Sequence, residues 1–302
     1  MFCNYIFTFI LLFVSVTFAS DSASSSPKET YLILNMENEA VLPRNFRISN
    51  DFVTIMSEDA PSILGFTELN ISGSGQFSRD SLKTMIETIP NWNITIVDLR
   101  EEPHCFLNHM AITWYSKNNW TNQGLSLEQI ELDEMERVLL LQQTPEALVY
   151  TDKHQADSFT LAPETVETER DVATYFGLGY VRIPATDHMR PSDKSVDAFV
   201  ELVKAMEPGA WLHMHCSAGR GRTTTFMTLF DMMKNAGKVS LEDIVKRQHL
   251  LGGLDLFDLS NGDEWKIPHK KARAELVKDF YRYCQEVPDF SVSWSEWLSN
   301  QM

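Results

Sequence analysis

The alternation of apolar and polar residues predicts that buried strands and amphipathic helices follow one another along the chain. Residues 93–98, 179–184 and 211–215 form short apolar runs, which are typical of strands buried on both faces of a sheet. Apolar residues recur at helical spacing over residues 192–206 and 223–234. Further helices are predicted at residues 127–142, 240–249 and 270–286. Strands that alternate with helices in this order indicate an α/β fold whose central sheet is covered on both faces.

One connection is too long to be a simple loop. Roughly eighty residues separate the predicted strands at 93–98 and 179–184, whereas unstructured loops longer than about 15 residues are uncommon. The segment contains aromatic and β-branched pieces at residues 112–115 and 147–150. We therefore expect a small β unit inserted into the main fold at about residues 101–165.

The N-terminal residues differ from the rest of the chain. Residues 1–20 contain no Asp, Glu, Lys or Arg, and an apolar run over residues 6–18 is followed by the small residue Ala19. This pattern is typical of a secretory signal peptide, and the run is short for a membrane span; an uncleaved membrane anchor is the alternative. We expect residues 21–40 to be a polar linker. The mature protein is expected to be secreted or periplasmic, without stable membrane insertion.

The net charge of −16 restricts the partners of the chain. A strongly acidic protein is not expected to bind nucleic acid, and it repels polyanions at long range. A polyanionic substrate would therefore need a local group of cations, and residues 266–273 hold four of the 26 Lys and Arg residues. The alternative interpretation of this group is an exposed helix face without a ligand. Further candidate cations are Arg44, Arg47 and Arg100.

The sequence around Cys216 contains the parts of a phosphate-binding catalytic loop. A predicted strand leads into Cys216, and Arg222 follows after five intervening residues. Gly219 and Gly221 allow the loop to curl without Cβ clashes. In a curled loop the backbone N–H groups converge on one anion. The predicted helix that begins at Thr223 directs the positive end of its dipole to the same point.

This loop is suited to nucleophilic catalysis on phosphate esters. A helix N-terminus and neighbouring cations lower the pKa of a cysteine thiol by several units, which makes Cys216 the candidate nucleophile. The planar guanidinium of Arg222 matches two phosphate oxygens. Thr223 is expected to donate a hydrogen bond to the sulfur, and His215 is expected to brace the loop. The backbone N–H groups expected to bind phosphate belong to Ser217, Ala218, Gly219, Arg220 and Gly221.

Cleavage of a phosphate ester also requires an acid that protonates the leaving alkoxide. Asp187 follows a predicted strand and precedes Pro191, as expected of a mobile acid loop, and it lies 29 residues before Cys216. The same carboxyl group could then act as the base that activates water against the cysteinyl phosphate. Asp193 and Asp197 compete for this role, but the pattern assigns them to the following helix.

These residues together resemble the active-site signature of the protein tyrosine phosphatase superfamily. Other segments resemble the protein-tyrosine-phosphatase-like phytases, the cysteine phytases of bacteria. The segments that carry this second resemblance are residues 42–47, 97–104, 114–115, 119–122, 185–191, 247–253, 265–266, 280–283 and 294–297. The similarity begins at about residue 40, so residues 41–302 are expected to form the phosphatase domain. The resemblance implies that the insertion at about 101–165 is a small partial β-barrel.

The resemblance also implies a set of substrate-binding residues. They are His188, Arg47, Asp98, Lys266 and Arg273. At the last of these, relatives are expected to carry Lys, and Arg keeps the charge but changes the hydrogen-bond geometry. For Asp98, the alternative to a substrate contact is a structural salt bridge to Arg100 or Arg47. The thiolate mechanism requires no cofactor and no metal ion.

The function implied by the resemblance is stepwise hydrolysis of myo-inositol hexakisphosphate through a cysteinyl-phosphate intermediate. One alternative is a tyrosine or dual-specificity protein phosphatase, or a phosphoinositide phosphatase, such as a bacterial effector translocated into a host cell. A second alternative is an inactive phosphate-binding module. The joint presence of Cys216, Arg222 and Asp187 disfavours the second alternative.

Overall fold

A computed structural model describes residues 29–51, 60–260 and 263–301 of the chain. The predicted signal peptide and the first part of the predicted linker lie outside these ranges. Among the helices within them, none is both long enough and apolar enough to cross a membrane.

The strands and helices alternate as the sequence pattern predicts. The strands are β1 (Tyr31–Met36), β2 (Arg47–Ile48), β3 (Ile71–Ser74), β4 (Ile94–Arg100), β5 (His104–Leu107), β6 (Met110–Tyr115), β7 (Ala147–Tyr150), β8 (Ser158–Leu161), β9 (Val166–Glu167), β10 (Gly179–Ala185) and β11 (Trp211–His215). The helices are α1 (Arg79–Thr88), α2 (Leu127–Gln142), α3 (Glu169–Tyr175), α4 (Asp193–Ala205), α5 (Gly221–Asn235), α6 (Leu241–Leu250), α7 (Ile267–Glu286) and α8 (Trp294–Ser299). The helix bounds agree with the predicted ones to within a few residues.

The main sheet has five strands in the order β10-β4-β11-β3-β2. The first four are mutually parallel, and β2 pairs antiparallel with β3 at the edge. The carboxyl ends of β4, β10 and β11 therefore meet at one edge, where ligands bind in open α/β sheets. Asp98 near the end of β4, Asp187 after β10 and Cys216 after β11 are brought to this edge.

Both faces of this sheet are buried, which confirms the predicted α/β fold class. On one face, Leu212 and Met214 of β11 pack with apolar residues of α4 to α8, among them Phe199 and Phe226. On the other face, Trp211 packs with residues of α1 and α3. Such two-sided burial explains why the strands appear in the sequence as continuous apolar runs.

A second sheet has six strands in the order β8-β7-β1-β6-β5-β9. Its strand β1 lies within residues 21–40, which the sequence predicts to be a linker, so that prediction is wrong for residues 31–36. Leu32 and Ile33 pair in parallel with β7, while β6 pairs antiparallel on the other side. The apolar side chains of this segment pack beneath α2 with Val149 and Leu141, and burying them favours the strand over a linker.

The second sheet is not drawn from the inserted segment alone. It contains β1, which precedes the insertion in the chain, and β9 at Val166–Glu167, just beyond the predicted end. Its end strands β8 and β9 are not paired with each other in the described residues. The partial β-barrel is therefore not confirmed, and the division into a core and an inserted domain stays a prediction.

Candidate active site

The segment predicted to bind phosphate follows β11 at the carboxyl edge of the main sheet and ends in α5. Its tight curl depends on Gly219, which has a φ of +72°. A Cβ atom added there would lie 2.3 Å from the backbone nitrogen of Gly75 and 2.4 Å from the carbonyl carbon of Ser74. Real Cβ atoms do not approach backbone so closely, so this position requires glycine for both its dihedral angle and its space.

Side chains from the segment before β2 hold the loop from its outer side. Arg44 donates to the carbonyl oxygen of Ser217 at 2.7 Å, and Asn45 donates to the carbonyl oxygen of Ala218 at 2.8 Å. The C=O group and the N–H group of one trans peptide unit point in opposite directions. With the carbonyl groups bound on the outside, the N–H groups of the same loop are left to face its centre. This is the arrangement of a backbone anion site.

Arg47 also binds the outer side of the loop. Its guanidinium donates to the carbonyl oxygen of Gly219 at 2.8 Å and to the hydroxyl of Thr224 at 3.2 Å. The side chain is buried, and this burial lowers the pKa of Arg47 to about 10. These contacts favour bracing of the loop over the direct substrate contact that the resemblance implies.

The candidate nucleophile Cys216 is buried at the bottom of the loop. Thr223 donates a hydrogen bond to its sulfur at 3.2 Å, as predicted from the sequence. Burial raises the pKa of the Cys216 thiol, but the charge of Arg222 and the hydrogen bond from Thr223 outweigh it, and the net pKa is lowered. The site therefore favours the thiolate, which is the reactive form of cysteine.

Arg222 is held by a carboxylate that the sequence analysis did not single out. Its Nη1 and Nη2 atoms bind the two carboxylate oxygens of Glu102 at 2.6 and 3.0 Å. Nη1 also donates to the carbonyl oxygen of Ala185 at 3.1 Å. Burial alone would raise the pKa of Glu102, but the charges of Arg222 and Arg100 hold it well below its ordinary range. Such a bidentate contact fixes the plane of the Arg222 guanidinium.

The candidate acid Asp187 lies close to this arginine. Its Oδ1 atom is 3.3 Å from Nη2 of Arg222 and accepts the backbone N–H of His188 at 3.0 Å. Its other carboxylate oxygen accepts from the side-chain amide of Asn119 at 3.2 Å. The competing residues lie elsewhere, since Asp193 binds Arg190 and Trp294, and Asp197 caps the start of α8. Of the three aspartates, only Asp187 is beside the loop.

His215 lies beneath the loop and does not reach its open side. Its Nε2 atom is 2.6 Å from the Oε1 atom of Glu169, and its ring packs against Phe77. Burial alone would lower the pKa of His215, but the charge and hydrogen bond of Glu169 raise it overall. The Glu169 carboxylate therefore favours the protonated form of His215, the buried residue that directly precedes the nucleophile. This agrees with the bracing function predicted for His215.

Asp98 does not have the position of a substrate contact. Its side chain is fully buried and accepts from the hydroxyl of Tyr180 at 2.9 Å and from the backbone of Arg100 at 2.8 Å. Its ion pair is with Arg182 at 3.2 Å, not with either arginine named in the sequence analysis. Asp98 therefore organises the sheet edge from inside, because a substrate in the pocket cannot reach it.

Ligand atoms of Asp98, Glu169 and His215 lie within 4.8 Å of one another, a spacing that could hold a metal ion. Each of the three already has a protein partner, however. His215 binds Glu169, and Asp98 binds Arg182 and Tyr180. The positive charge of Arg182 beside the group also disfavours a cation. We therefore interpret the cluster as a buried hydrogen-bond network.

Predicted specificity residues approach the loop from α7 and the acid loop. His188 has a φ of +68° and packs edge-on against Trp265 at 5.2 Å. Burial lowers the pKa of His188, and the nearby charge of Lys266 lowers it further, whereas Asp187 opposes them. The guanidinium of Arg273 lies against the loop, 2.9 Å from where a Cβ on Gly221 would be. His188, Lys266 and Arg273 are thus close to the site.

The sequence analysis missed the contribution of the second sheet to the pocket. A cavity of about 360 Å³ opens beside the loop and is lined by Lys153 and His154 together with Arg44, His188 and Asp187. The hydroxyl of Tyr31 in β1 donates to the carbonyl oxygen of Lys153 at 2.8 Å and so anchors this turn. Lys153 lies 63 residues before Cys216 in the sequence, and no local motif marks it.

Two further cysteines lie within the described residues, and neither takes part in the site. Cys105 and Cys284, for which a disulfide bridge is conceivable from the sequence, are both free and buried. Burial raises the pKa of Cys105, and it raises that of Cys284 as well. Both thiols are thus disfavoured as nucleophiles, in contrast to Cys216.

Comparison with known proteins identifies similar sequences and structures. The family model of the PTP-like phytases, described by the words inositol hexakisphosphate, matches residues 97–234. The PTP-like myo-inositol phosphatase of Mitsuokella multacida, solved with myo-inositol-(1,3,4,5)-tetrakisphosphate, superposes with a TM-score of 0.86 at 31% identity, over 92% of this chain and 49% of that chain. A PTP-like phytase of Bdellovibrio bacteriovorus superposes with a TM-score of 0.72 at 33% identity, over 91% of this chain and 97% of that chain.

A relative with a different description is found among curated sequences. Effector protein hopD2 of Pseudomonas syringae pv. tomato is 30% identical over 243 residues, which are 77% of this chain and 52% of that protein. The chain thus spans about half the length of the Mitsuokella and Pseudomonas proteins that it matches.

Proposed function

The chain belongs to the protein-tyrosine-phosphatase-like phytase family, and on that basis we propose that it is a cysteine-dependent phosphatase of inositol polyphosphates. The preferred substrate that we propose is myo-inositol hexakisphosphate, from which phosphates are removed one at a time. The observation that carries the proposal is the convergence of Cys216, Arg222 and Asp187 at one sheet edge, beside a pocket with several cationic side chains.

In the first step the Cys216 thiolate attacks phosphorus and forms a sulfur–phosphorus bond, while the bond between phosphorus and the ester oxygen breaks. Asp187 gives its proton to the departing inositol oxygen, so that an alcohol leaves and not an alkoxide. Arg222 and the loop N–H groups neutralise the charge on the equatorial oxygens, which is the main requirement of phosphoryl transfer. The Glu102 contacts at 2.6 and 3.0 Å support this role, because they hold the guanidinium in one orientation.

In the second step water attacks the cysteinyl phosphate and the sulfur–phosphorus bond breaks. Asp187, now a carboxylate, accepts the proton of the attacking water. Inorganic phosphate leaves, and the thiolate and the protonated acid are restored. The hydrogen bond from Thr223 at 3.2 Å stabilises the sulfur as a leaving group. No part of this cycle requires a metal ion.

The pocket wall supports a substrate with several phosphates. The reacting phosphate occupies the loop, and the remaining phosphates need cations elsewhere because the protein as a whole carries a charge of −16. Lys153 and His154 line the cavity from the second sheet, and the charges of Lys153 and Lys266 both act on His188, which lines the same cavity. Several cationic side chains beside the nucleophile favour a compact polyanion over a substrate with a single phosphate.

The second candidate function is a phosphatase of phosphotyrosine proteins or phosphoinositides that acts in a host cell. The observation that favours it is the relative from Pseudomonas syringae, whose name describes it as an effector protein. Both candidates use the same catalytic groups, and both require export from the producing cell, which the predicted signal peptide would provide. An inactive phosphate-binding module is disfavoured, since each group that the chemistry needs is present.

One experiment separates the two candidates. Phosphate release is measured at matched concentrations of myo-inositol hexakisphosphate, a phosphotyrosine peptide and a short-chain phosphoinositide, with EDTA present throughout. The proposal expects the highest kcat/KM on the hexakisphosphate and no loss of rate with EDTA. A higher kcat/KM on the peptide or on the phosphoinositide would transfer the proposal to the second candidate, and no release from any substrate would favour the inactive module.

A further inference from the structure

The segment that connects β6 to α2 contacts the loop of the candidate acid. The indole N–H of Trp120 donates to the backbone carbonyl oxygen of Asp187 at 2.8 Å. The side-chain amide of the preceding residue, Asn119, donates to Oδ2 of Asp187 at 3.2 Å. One contact thus holds the backbone of the acid loop, and the other holds the carboxyl group itself.

This segment is itself firmly held. Asn119 is buried, and its φ of +64° is a left-handed conformation that asparagine tolerates better than most residues. The hydroxyl of Thr121 donates to the carbonyl oxygen of Trp114 at 3.0 Å, which ties the segment to the end of β6. The two contacts to Asp187 therefore come from a fixed support on the second sheet.

Aromatic packing connects this support to residues at and before the start of α7. The ring of Trp120 meets Trp265 edge-on at 5.8 Å and His269 at 6.1 Å. Trp265 in turn packs against His188, the neighbour of Asp187, at 5.2 Å. Edge-to-face contacts of this kind contribute about 0.5–1.5 kcal/mol each beyond area burial. The acid loop is thereby enclosed between the second sheet and the start of α7.

We propose that Asn119 and Trp120 are positioning residues that fix Asp187 for proton transfer to the leaving group. The proposal rests on the proposed reaction, in which Asp187 is the acid. An amide N–H directed at Oδ2 makes that oxygen an acceptor. The other carboxylate oxygen, Oδ1, accepts the backbone N–H of His188 at 3.0 Å and lies 3.3 Å from Arg222. Contacts to both oxygens therefore fix the orientation of the carboxyl group beside the phosphate loop.

The sequence predicts a mobile acid loop, and these contacts would limit that mobility by holding Asp187 at both its backbone and its carboxyl group. An acid held in this way would need little closing movement. A displacement of a catalytic group by about 1 Å can cost about 10²-fold in rate. The second sheet, which has no part in the nucleophile loop, would in this way contribute to catalysis through the acid.

The test uses two substrates of similar size that differ in their need for an acid. Benzyl phosphate releases a poor alkoxide leaving group, whereas p-nitrophenyl phosphate releases a good one that requires little protonation. In Asn119→Gly the amide is removed while the left-handed backbone remains accessible. In Trp120→Phe the ring is largely kept and the indole donor is lost. Both variants are expected to lower kcat/KM, which covers the steps up to departure of the leaving group, by about ten- to a hundredfold on benzyl phosphate and by less than about threefold on p-nitrophenyl phosphate.

Matched controls are available in the chain. Asn118 also has a left-handed φ of +61°, but no hydrogen bond joins its side chain to the acid loop in the described residues. Asn118→Gly is the control for Asn119→Gly. Trp92 is 90% exposed, and Trp92→Phe is the control for Trp120→Phe. Both controls are expected to keep the wild-type ratio of the two rates.

A final comparison separates positioning from general damage. In an Asp187→Asn background, Asn119→Gly should cause no further loss on benzyl phosphate, because residues that act through one group are not additive. Equal losses on both substrates, or an additional loss in that background, would overturn the proposal. If Asn119→Gly does not fold, the same comparison is made with Trp120→Phe in the Asp187→Asn background. A wild type that hydrolyses both aryl and benzyl esters but not inositol hexakisphosphate would refute the proposed substrate and leave this inference intact.

Discussion

In the proposed reaction, the phosphate loop and the pocket wall bind the same kind of group by different means. The loop takes its donors from consecutive backbone N–H groups, and Arg44, Asn45 and Arg47 fix its outer side. The wall takes its cations from separate parts of the chain, such as Lys153 in the turn after β7 and Lys266 at the start of α7. Lys266 also pairs at 2.9 Å with the exposed Asp263.

Under this proposal, catalysis depends on the loop and substrate specificity depends on the wall. Backbone donors in a buried loop have one geometry, and a displacement of the backbone at one residue disturbs all of them. Partly exposed lysines act mainly by charge, are screened by salt and tolerate changes of position. Changes in the loop should therefore affect kcat on every substrate, whereas changes in the wall should affect KM on polyanionic substrates only.

The largest effect is expected from the nucleophile. Cys216→Ser should abolish turnover on all phosphate esters, because a serine hydroxyl is barely ionised in the same loop. Phosphate binding, measured by calorimetry, should persist since the backbone donors are unchanged. Retention of substantial hydrolysis by this variant would contradict the thiolate mechanism.

The next largest effect is expected from replacing the candidate acid, which protonates the leaving group. Asp187→Asn should lower kcat on alkyl phosphates by about 10²–10⁴, because the leaving oxygen loses its proton donor. The loss should be smaller on p-nitrophenyl phosphate. Steady-state rates on the two ester types provide the measurement, and an identical loss on both would indicate a structural role for Asp187.

Alanine substitutions at two glycines of similar conformation compare the loop with an ordinary turn. Gly219 and Gly209 have φ values of +72° and +79°, but a Cβ atom at Gly209 would meet nothing within 4 Å. Gly209→Ala should cost about 1–2 kcal/mol of unfolding free energy and leave kcat unchanged. Gly219→Ala must also displace Gly75, so kcat should fall by about 10² or more. Similar kcat values for the two variants would show that the loop tolerates displacement.

Substitutions in the pocket wall are expected to change KM for some substrates and not for others. Replacing Lys153 and Lys266 together by Ala should raise KM for inositol hexakisphosphate about tenfold, since each screened charge contact is worth up to about 1 kcal/mol. KM for p-nitrophenyl phosphate should stay nearly constant. Lys271→Ala, at an exposed position of α7, is the control. If added salt does not reduce the preference for the hexakisphosphate, the cations act only as solvated surface charges.

The smallest predicted effect concerns the thiol. The lowered pKa of Cys216 keeps the thiolate present below the ordinary range, and the thiolate is lost as the pH falls through that value. Thr223→Val removes a hydrogen bond that favours the charged sulfur, so the pKa should rise by about one unit. The pH dependence of iodoacetamide alkylation measures it. An unchanged midpoint would assign the lowered pKa to Arg222 and the backbone N–H of residue 223.

How much of the site the sequence predicts depends on the distance between the partners along the chain. Cys216, Arg222 and Thr223 lie within eight residues, and strand, loop and helix fix their geometry locally. Their positions were accessible from pattern and spacing. Asp187 was accessible for a similar reason, because it directly follows a recognisable strand of the same sheet.

The residues that contact the site only through tertiary packing could not be predicted from local pattern and spacing. Glu102 binds Arg222 from 120 residues away, and Glu169 binds His215 from 46 residues away. A carboxylate next to a strand has many possible partners, and only the fold selects one. For the same reason the sequence misjudged residues 31–36, because the strand exists through its pairing with β6 and β7.

The buried contacts of Glu102 have a consequence for how this site can evolve. Glu102 binds both Arg222 and Arg100, so its loss would remove the buried carboxylate that these two arginines share. Breaking such a buried pair costs about 3–5 kcal/mol, which is a large part of the stability of a domain. Lineages can therefore change these positions only through compensating exchanges. Exposed lysines such as Lys153 can be replaced one at a time, so substrate preference can drift while the nucleophile loop stays the same.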